Sequence, residues 1–180
     1  TSGEHQANVD AYLRLAKQVT LLTLSHNELM VLAGTFEGKG QSAQSTQSAQ
    51  SAQSALDHLY QLVETNILVI GGDSQNLLVV DWLAAHKIAH TSEQHQHQHI
   101  GFSGSRVDTR HNHATGCTMS SAIATAMALG HPLLDAIVIA KAYVHQGLSD
   151  SYGLGKRPGV LARHGWPNDL ANFPEIMLPQ

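Results

Sequence analysis

The residues best suited to chemistry lie in one stretch, 111–129, which holds the only cysteine of the chain, Cys117. A turn of small residues at 114–116 leads into a run of helix formers. Backbone N–H groups in the first helical turn lack helical partners, and the helix dipole adds positive potential. The stretch predicts an anion site, with Cys117 at or next to the first helical position, where this field favours a thiolate. The alternative is an ordinary helix start with a buried small cysteine.

Size and composition restrict the class of protein. The 180 residues suffice for one sizeable hydrophobic core and are too few for two full domains. A charged fraction of 13% and a net charge of −4 exclude a surface built to neutralise nucleic-acid phosphates. The single cysteine cannot form an internal disulfide, and no apolar run approaches eighteen residues. We expect a soluble cytoplasmic protein without a membrane segment.

Apolar periodicity predicts helices that alternate with strands. The predicted elements are a helix at 8–18, a strand at 19–24, a helix capped by Ser25 or Asn27 that ends at Gly34, a helix with Leu56, Leu59, Tyr60 and Val63 on its core face, a strand, turn and strand at 66–84, and a helix that starts at Pro132. Strands that are apolar on both faces suit a parallel sheet covered by helices. The pattern therefore predicts an α/β domain with three layers and a mainly parallel sheet.

Two segments have unusual composition. Residues 41–55 repeat Gln-Ser-Ala with a period of three, which gives no lasting apolar face on a helix, so we expect an exposed loop or a loosely held helical extension. His95, His97 and His99 alternate, so on a strand they would share one face and could hold a divalent metal. An exposed segment rich in Gln and His needs no ligand, and we favour that interpretation.

The order of residues 106–129 resembles the corresponding segment of hydroxymethylpyrimidine/phosphomethylpyrimidine kinases, the thiamin-pathway members of the ribokinase-like family. The agreeing positions are Thr109, His113, Thr115, Gly116, Cys117, Thr118, Ser120, Ser121, Ala122, Ile123 and Ala124. Most ribokinase-like kinases have aspartate at the cysteine position, so Cys117 points to the pyrimidine kinase branch. Ala114 replaces the first glycine of the motif.

Other segments resemble the same family less closely. Glu28 falls at the position of a family glutamate, whereas Leu24 and Ser25 replace a proline and an asparagine. Gly71 and Gly72 match a Gly-Gly pair, but Ile70 replaces the lysine before them. Residues 133–144 resemble a family helix, with Lys141 at its lysine position. Lys141 is predicted to approach a nucleotide or, as an alternative, to be a solvated helix lysine.

The resemblance implies a ribokinase-like three-layer fold and transfer of the γ-phosphoryl group of ATP, with Mg²⁺, to hydroxymethylpyrimidine or its monophosphate. It implies catalytic roles for Ala114, Thr115, Gly116 and Cys117, nucleotide contacts for Gly71, Gly72, Thr118 and Lys141, and a magnesium contact through water for Glu28. Cys117 would take or orient the proton of the acceptor hydroxyl.

The segment Thr1–Gly3 resembles the end of a strand midway through the family domain, which predicts that residues 1–166 are its C-terminal part and that the N-terminal half is lacking. Residues 41–55 would be an insert and 167–180 a tail or a linker to another thiamin-pathway enzyme. We expect a homodimer formed through an open sheet edge, or a companion segment that covers it. The alternatives are a catalytically inactive module with a binding or assembly role and a histidine-rich metal-binding protein.

Overall fold

A computed structural model describes residues 2–33, 45–71, 76–85, 98–153, 155–163, 165–166 and 172–178. The chain divides into two compact units, of which the first contains residues 1–74, 81–101 and 178–180, and the second residues 75–80 and 102–177. The elements in chain order are α1 (Ser2–Ala16), β1 (Leu21–Ser25), α2 (His26–Leu32), α3 (Ser45–Val63), β2 (Asn66–Ile70), β3 (Leu78–Ala85), β4 (Gln98–Ser105), α4 (Thr115–Ala128), α5 (Leu133–Ser149) and β5 (Glu175–Met177).

The strands follow one another in the order β1-β2-β3-β4 in the first unit and β3-β4-β5 in the second. β1 pairs parallel with β2, with Leu22 opposite Ile67, because two helices lie between these strands in the chain. β2 pairs antiparallel with β3, with Leu68 opposite Leu83, since a short connection joins them. The predicted α/β class is confirmed, and the sheet is mixed.

The core of the first unit forms where the apolar pattern predicts it. Leu56, Leu59, Tyr60 and Val63 of α3 are all buried, which confirms the predicted face of that helix. They pack in one cluster with Leu24 of β1, Leu29 of α2 and Ile67 of β2. Apolar area removed from water in this way stabilises the fold by about 25 cal/mol per Å².

The Gln-Ser-Ala repeat is helical from Ser45 onward. Its last alanine, Ala55, is 1% exposed, and Gln53 contacts the side chain of His99. The end of the repeat is therefore held by tertiary contacts. Because alanine and glutamine are good helix formers, a helix anchored by its apolar C-terminal half extends backward into the repeat as far as Ser45.

Two helices dominate the second unit, and α4 packs against α5. Met119 and Ile123 of α4 and Ile137 and Ala140 of α5 are buried. Pro132 is the N-cap residue of α5, as its position in the sequence predicts. These contacts fix the N-terminus of α4, where the candidate chemistry lies.

Candidate functional site

The N-terminus of α4 is open. Ala114 precedes the helix in the left-handed conformation, with φ 67° and ψ 21°, and no side-chain hydrogen bond caps the helix. The first helical hydrogen bond runs from the N–H of Thr118 to the carbonyl of Ala114, at 3.0 Å. The N–H groups of residues 115–117 precede that bond, so they lie at the positive end of the helix dipole, where an anion binds favourably.

The approach to these N–H groups is not obstructed at Gly116. A Cβ atom built there would meet nothing within 4 Å, and the residue is exposed. A side chain at this position would therefore project into the space through which an anion reaches the backbone.

Cys117 is the third residue of α4, two positions later than the first helical position. Its side chain is exposed, so the alternative of a buried small cysteine is wrong. The turn at 114–116 places the thiol within the first helical turn, beside the open N–H groups. A polar group can therefore act there on a molecule that those N–H groups bind.

The segment before α4 is held by side chains to residues more than forty positions later in the chain. Thr109 Oγ1 lies 2.8 Å from Ser151 Oγ and accepts a hydrogen bond from the N–H of His111. The Nδ1 atom of His111 accepts a hydrogen bond of 2.8 Å from the N–H of Gly159, whose carbonyl in turn accepts one from His113 N–H. Sequence analysis missed His111, although its place two residues after Thr109 in the segment before the turn was a usable signal.

Gly159 approaches the backbone of residues 152–153 too closely for any side chain. A Cβ atom added there would collide with the carbonyl oxygen of Tyr152. The glycine therefore allows the chain at Gly159 to lie against Tyr152 and Gly153 and to present its N–H to His111. This contact positions the turn that opens α4.

Lys141 of α5 is buried, with 8% of its surface exposed. Its Nζ atom donates a hydrogen bond of 3.2 Å to the carbonyl of Val79 in β3. The alternative of a solvated helix lysine is therefore wrong. The Lys141 amine makes this hydrogen bond within the second unit, and its approach to a nucleotide stays a prediction.

Thr118 is also buried, with 7% of its surface exposed. Its Oγ1 atom has no hydrogen-bond partner among the described residues. A hydroxyl in this state is unusual, because buried polar groups nearly always have a partner. Thr118 lies next to Cys117 and lines the cavity described next.

A cavity of about 520 Å³ lies along α4 within the second unit. Its lining residues are Cys117, Thr118, Ser121, Ala122, Thr125, Ala126, Leu129, His131, Ile139, Tyr143, Arg163 and Trp166. Cavities of roughly 300–1,000 Å³ are typical of small-molecule sites. The open helix N-terminus and this cavity share Cys117.

The other predicted site residues belong to the first unit. Gly71 has a φ of 93°, and its N–H donates a hydrogen bond of 3.0 Å to the buried carboxylate of Asp81. Gly72 lies outside the described residues. The carboxylate of Glu28 accepts hydrogen bonds of 2.7 Å from the N–H and the hydroxyl of Ser25. This capping box confirms Ser25 as the cap of α2.

The alternating histidines, for which we favour the interpretation without a metal, are only partly described. His95 and His97 lie outside the described residues. The Nδ1 atom of His99 lies 2.7 Å from Gln53 Nε2, and its Nε2 atom lies 2.7 Å from Asp57 Oδ1. Within the described part of the chain, no group of three or more His, Cys, Asp or Glu side chains is arranged to hold a metal ion.

The sequence model of the phosphomethylpyrimidine kinase family matches residues 3–162. The chain belongs to this family. A hydroxymethylpyrimidine/phosphomethylpyrimidine kinase of Rhizobium meliloti is 43% identical over 67 residues, which cover 36% of this chain and 25% of that protein. The thiamine biosynthesis multifunctional protein ThiED of Corynebacterium efficiens is 31% identical over 169 residues, 88% of this chain and 20% of that protein.

The fold is that of ribokinase-like kinases. A structure of the pyridoxal kinase from Staphylococcus aureus in complex with AMP-PCP and pyridoxal superposes with a TM-score of 0.71 at 19% identity. The superposition covers 96% of this chain and 58% of that kinase. This chain thus spans little more than half of the kinase, and at most a quarter of the two curated relatives named above is matched.

The described helices of this family member include none with the length and apolar character needed to cross a bilayer.

Proposed function

We propose that this chain supplies the phosphate-binding part of a kinase that transfers the γ-phosphoryl group of ATP to hydroxymethylpyrimidine or its monophosphate in thiamin biosynthesis. The observation that carries the proposal is the uncapped N-terminus of α4, with exposed Cys117 in its first turn. Family membership supports the same reaction class. The site of transfer is the segment Ala114, Thr115, Gly116 and Cys117.

The open N–H groups stabilise the negative charge of the transferring phosphoryl group. Phosphoryl transfer leaves little covalent work for the protein, so catalysis depends on positioning and on neutralising the charge of the transferring group. Backbone donors fixed at a helix N-terminus do this without reorganisation when the charge develops. The open space at Gly116 lets the phosphoryl oxygens approach them. Gly116 is thus the position most sensitive to added bulk.

The role of Cys117 concerns the hydroxyl group that accepts the phosphoryl group. Its exposed side chain takes or orients the proton of the acceptor hydroxyl while the backbone donors hold the phosphoryl group. Thr118, the next residue, is the closest candidate among the predicted nucleotide contacts, because it lines the same cavity as Cys117. Gly71, Gly72 and Lys141 keep the nucleotide contacts that the family resemblance implies.

Magnesium, when bound, would neutralise phosphate charge. Mg²⁺ in such sites is held mainly by substrate phosphates and water, with one or two carboxylates. This fits a chain whose described residues contain no cluster of metal-ligating side chains. Glu28 is the carboxylate proposed to contact the ion through water, and its capping bonds to Ser25 would hold it in place.

The whole enzyme is proposed to need more than this chain. The chain superposes on 58% of the Staphylococcus aureus kinase, which leaves a further segment to complete the acceptor site. That segment is supplied by a longer polypeptide, by a second copy or by a separate chain. Fusion to another thiamin-pathway enzyme is consistent with the multifunctional relative from Corynebacterium efficiens.

The test is ATP consumption with hydroxymethylpyrimidine and with its monophosphate by this chain together with the further segment, in the longer polypeptide or complex that supplies it, beside the variants Cys117→Ala and Ser149→Ala. Ser149 is an exposed residue at the end of α5 and serves as the matched control. We expect Cys117→Ala to lower turnover by about 100-fold or more and Ser149→Ala to leave it unchanged. Equal turnover in both variants would remove Cys117 from the reaction. Intact ATP binding without any turnover by that completed enzyme would overturn the catalytic part of the proposal.

A further inference from the structure

Two segments of the second unit, 108–113 and 151–160, are joined beside the N-terminus of α4. Gly159 is bonded through both of its backbone polar groups to the first segment. Its N–H donates a hydrogen bond of 2.8 Å to Nδ1 of His111, and its carbonyl accepts one of 3.3 Å from the N–H of His113. Of these two bonds, only the one to His111 depends on a side chain that can gain or lose a proton.

The joined segment leads directly into the open helix end. His113 immediately precedes Ala114, which has a φ of 67°. The carbonyl of Asn112 accepts a hydrogen bond of 2.6 Å from Thr115 Oγ1, so the segment is also tied to the first residue of α4. The left-handed conformation is unfavourable for alanine, and such a conformation persists only where surrounding contacts hold it. The bond between His111 and Gly159 is one of those contacts.

The ring of His111 has a defined place but is not sealed from water. A Cβ atom added at Gly153 would lie 2.9 Å from Cε1 of this ring, so the imidazole packs directly on the glycine backbone. The residue as a whole is half-buried. The imidazole can therefore exchange a proton with solvent while it is held in the folded chain.

The hydrogen bond to Gly159 requires the neutral form of His111. A backbone N–H can only donate, so Nδ1 is the acceptor and the neutral ring carries its proton on Nε2. In the protonated ring both nitrogens carry hydrogen, and Nδ1–H would then face the N–H of Gly159. Histidines commonly gain their second proton between about pH 5 and 8. The bond is thus lost when His111 is protonated.

Other charges around the ring are accessible to solvent. Besides His111, the titratable and charged side chains among the described residues of the two segments are Asp108, Arg110, His113, Tyr152, Lys156 and Arg157. All six are exposed, so water and salt weaken their influence on the ring. The main consequence of protonation is therefore the loss of the acceptor at Nδ1.

We propose that neutral His111 is a positioning residue that holds the turn at 114–116 in its phosphate-binding conformation, and that protonation of His111 releases this turn. His111 acts through Gly159 and the backbone of residues 112–115, and it does not contact the phosphate. The affinity of the chain for ATP therefore falls as the pH decreases. This inference rests on the proposed function, because the phosphates are bound at the same N-terminus of α4.

The first experiment measures ATP binding by titration calorimetry with the full chain at about pH 8 and about pH 5.5. His111→Ala removes the acceptor, and the loss of one such hydrogen bond should weaken ATP about fivefold at the higher pH. His111→Asn keeps an acceptor oxygen close to the position of Nδ1 but cannot be protonated. We expect this variant to bind ATP normally at the higher pH and to lose about fivefold less affinity than the unaltered chain at the lower pH.

His58→Asn is the matched control. His58 is an exposed histidine of α3 in the first unit, and the same substitution there should leave the affinity and its pH dependence unchanged. Because ATP and the other histidines titrate equally in both asparagine variants, the difference between the two variants isolates His111.

Gly153→Ala disturbs the contact while keeping the imidazole. The new Cβ atom would displace the ring, which is the movable end of a side chain, so we expect weaker ATP binding at about pH 8 with little change in melting temperature. This variant decides the question if His111→Ala fails to fold. A fall in melting temperature with unchanged ATP affinity would show that the contact serves stability alone, and it would overturn the proposal.

The second experiment observes the turn without ATP. Nuclear magnetic resonance of the chain labelled with ¹⁵N follows the ring nitrogens of His111 and the amide signals of Gly159 and of residues 115–117. We expect the tautomer with the proton on Nε2 at about pH 8, and amide signals that shift together with the protonation of the ring. In His111→Asn that coupled shift should be absent.

Three results would overturn the role of His111: His111→Ala with the ATP affinity and amide signals of the unaltered chain, a pH dependence that His111→Asn leaves unchanged, or tighter ATP binding at the lower pH that His111→Asn removes. The last result would mean that the imidazolium attracts the phosphates as a charge.

Failure of the proposed function gives a different pattern. No ATP binding, or ATP binding that Gly116→Val leaves unchanged, would reject the phosphate site at α4. The amide signals of residues 115–117 would then uphold the hold on the turn if they follow the protonation of His111, and reject it if they do not. ATP binding that Gly116→Val weakens but every His111 variant leaves unchanged would retain the proposed function and reject the role of His111.

Discussion

The helices α2 and α4 begin in opposite ways. At α2, Ser25 Oγ accepts a hydrogen bond from the N–H of Glu28 at 3.3 Å, and the Glu28 carboxylate accepts one from the N–H of Ser25 at 2.7 Å. At α4, Ala114 stands in the left-handed conformation, and its side chain can cap nothing. Helix α2 uses its own side chains to satisfy two of its N-terminal N–H groups, those of Ser25 and Glu28, whereas α4 leaves its N-terminal N–H groups to a ligand.

This difference shows that an anion site at a helix N-terminus requires that no side chain caps that helix. A helix N-terminus binds an anion only when no side chain of its own already occupies the donors. The short polar cap and the glutamate of α2 close that end. The small residues 114–116 keep the end of α4 open.

The largest effect is expected when a larger side chain blocks the N-terminus of α4. Gly116→Val places a branched side chain in the open space beside the N–H groups, so we expect ATP binding to weaken more than tenfold, or about 1.4 kcal/mol. Ala124→Val adds the same side chain at an exposed position later in α4 and should bind ATP normally. Calorimetric titration of both variants makes the comparison, and equal affinities would show that the α4 N-terminus holds no phosphate.

The next largest effect is expected at the capped N-terminus of α2. Ser25→Ala removes the cap of α2, so we expect the free energy of unfolding to fall by about 1 kcal/mol. ATP binding should not change through loss of the cap alone. Urea denaturation beside the Ser149→Ala control measures the stability. The N–H of Ser25 still bonds the Glu28 carboxylate in this variant, so a loss of ATP affinity larger than the loss of stability would mean that Glu28 needs the Ser25 hydroxyl to contact the magnesium.

A smaller gain is expected from Ala114→Gly. Alanine at φ 67° is strained by about 1–2 kcal/mol, while glycine lowers stability through the flexibility of the unfolded chain. The net expectation is a rise of about 0.5–1 kcal/mol in the free energy of unfolding, with ATP binding retained. Urea denaturation provides the measurement. A fall in stability would mean that the left-handed turn is not populated in solution.

The smallest effect is a response to alkali in the first unit. Burial, with a smaller contribution from the nearby Glu64 carboxylate, raises the pKa of Tyr60 above its ordinary value of 10.0. Between the unfolded and the folded pKa the folded state holds the proton more tightly, so stability falls as the pH rises above about 10. Tyr60→Phe should reduce that fall. Denaturation at pH 8 and pH 10.5 tests this, and an identical fall in the variant would assign the sensitivity to another group.

Most of what sequence analysis predicted correctly depends on neighbours within one or two helical turns. The capping box needs only Ser25 and Glu28, three residues apart, and the core face of α3 needs only a period near 3.6. The family motif around Cys117 likewise lies in one continuous stretch. Local hydrogen bonds and side-chain spacing determine such features wherever the rest of the chain packs.

Tertiary structure alone decided the features that join distant segments. The hydrogen bond between His111 and Gly159 spans 48 residues, and the one between Lys141 and Val79 spans 62. The same packing buries Thr118 Oγ1 without a hydrogen-bond partner among the described residues, and it brings Arg163 and Trp166 to the cavity along α4. The sequence by itself determined the open helix end and its cysteine. What surrounds that end depends on which residues the folded chain brings together, because burial and long-range contacts have no local pattern.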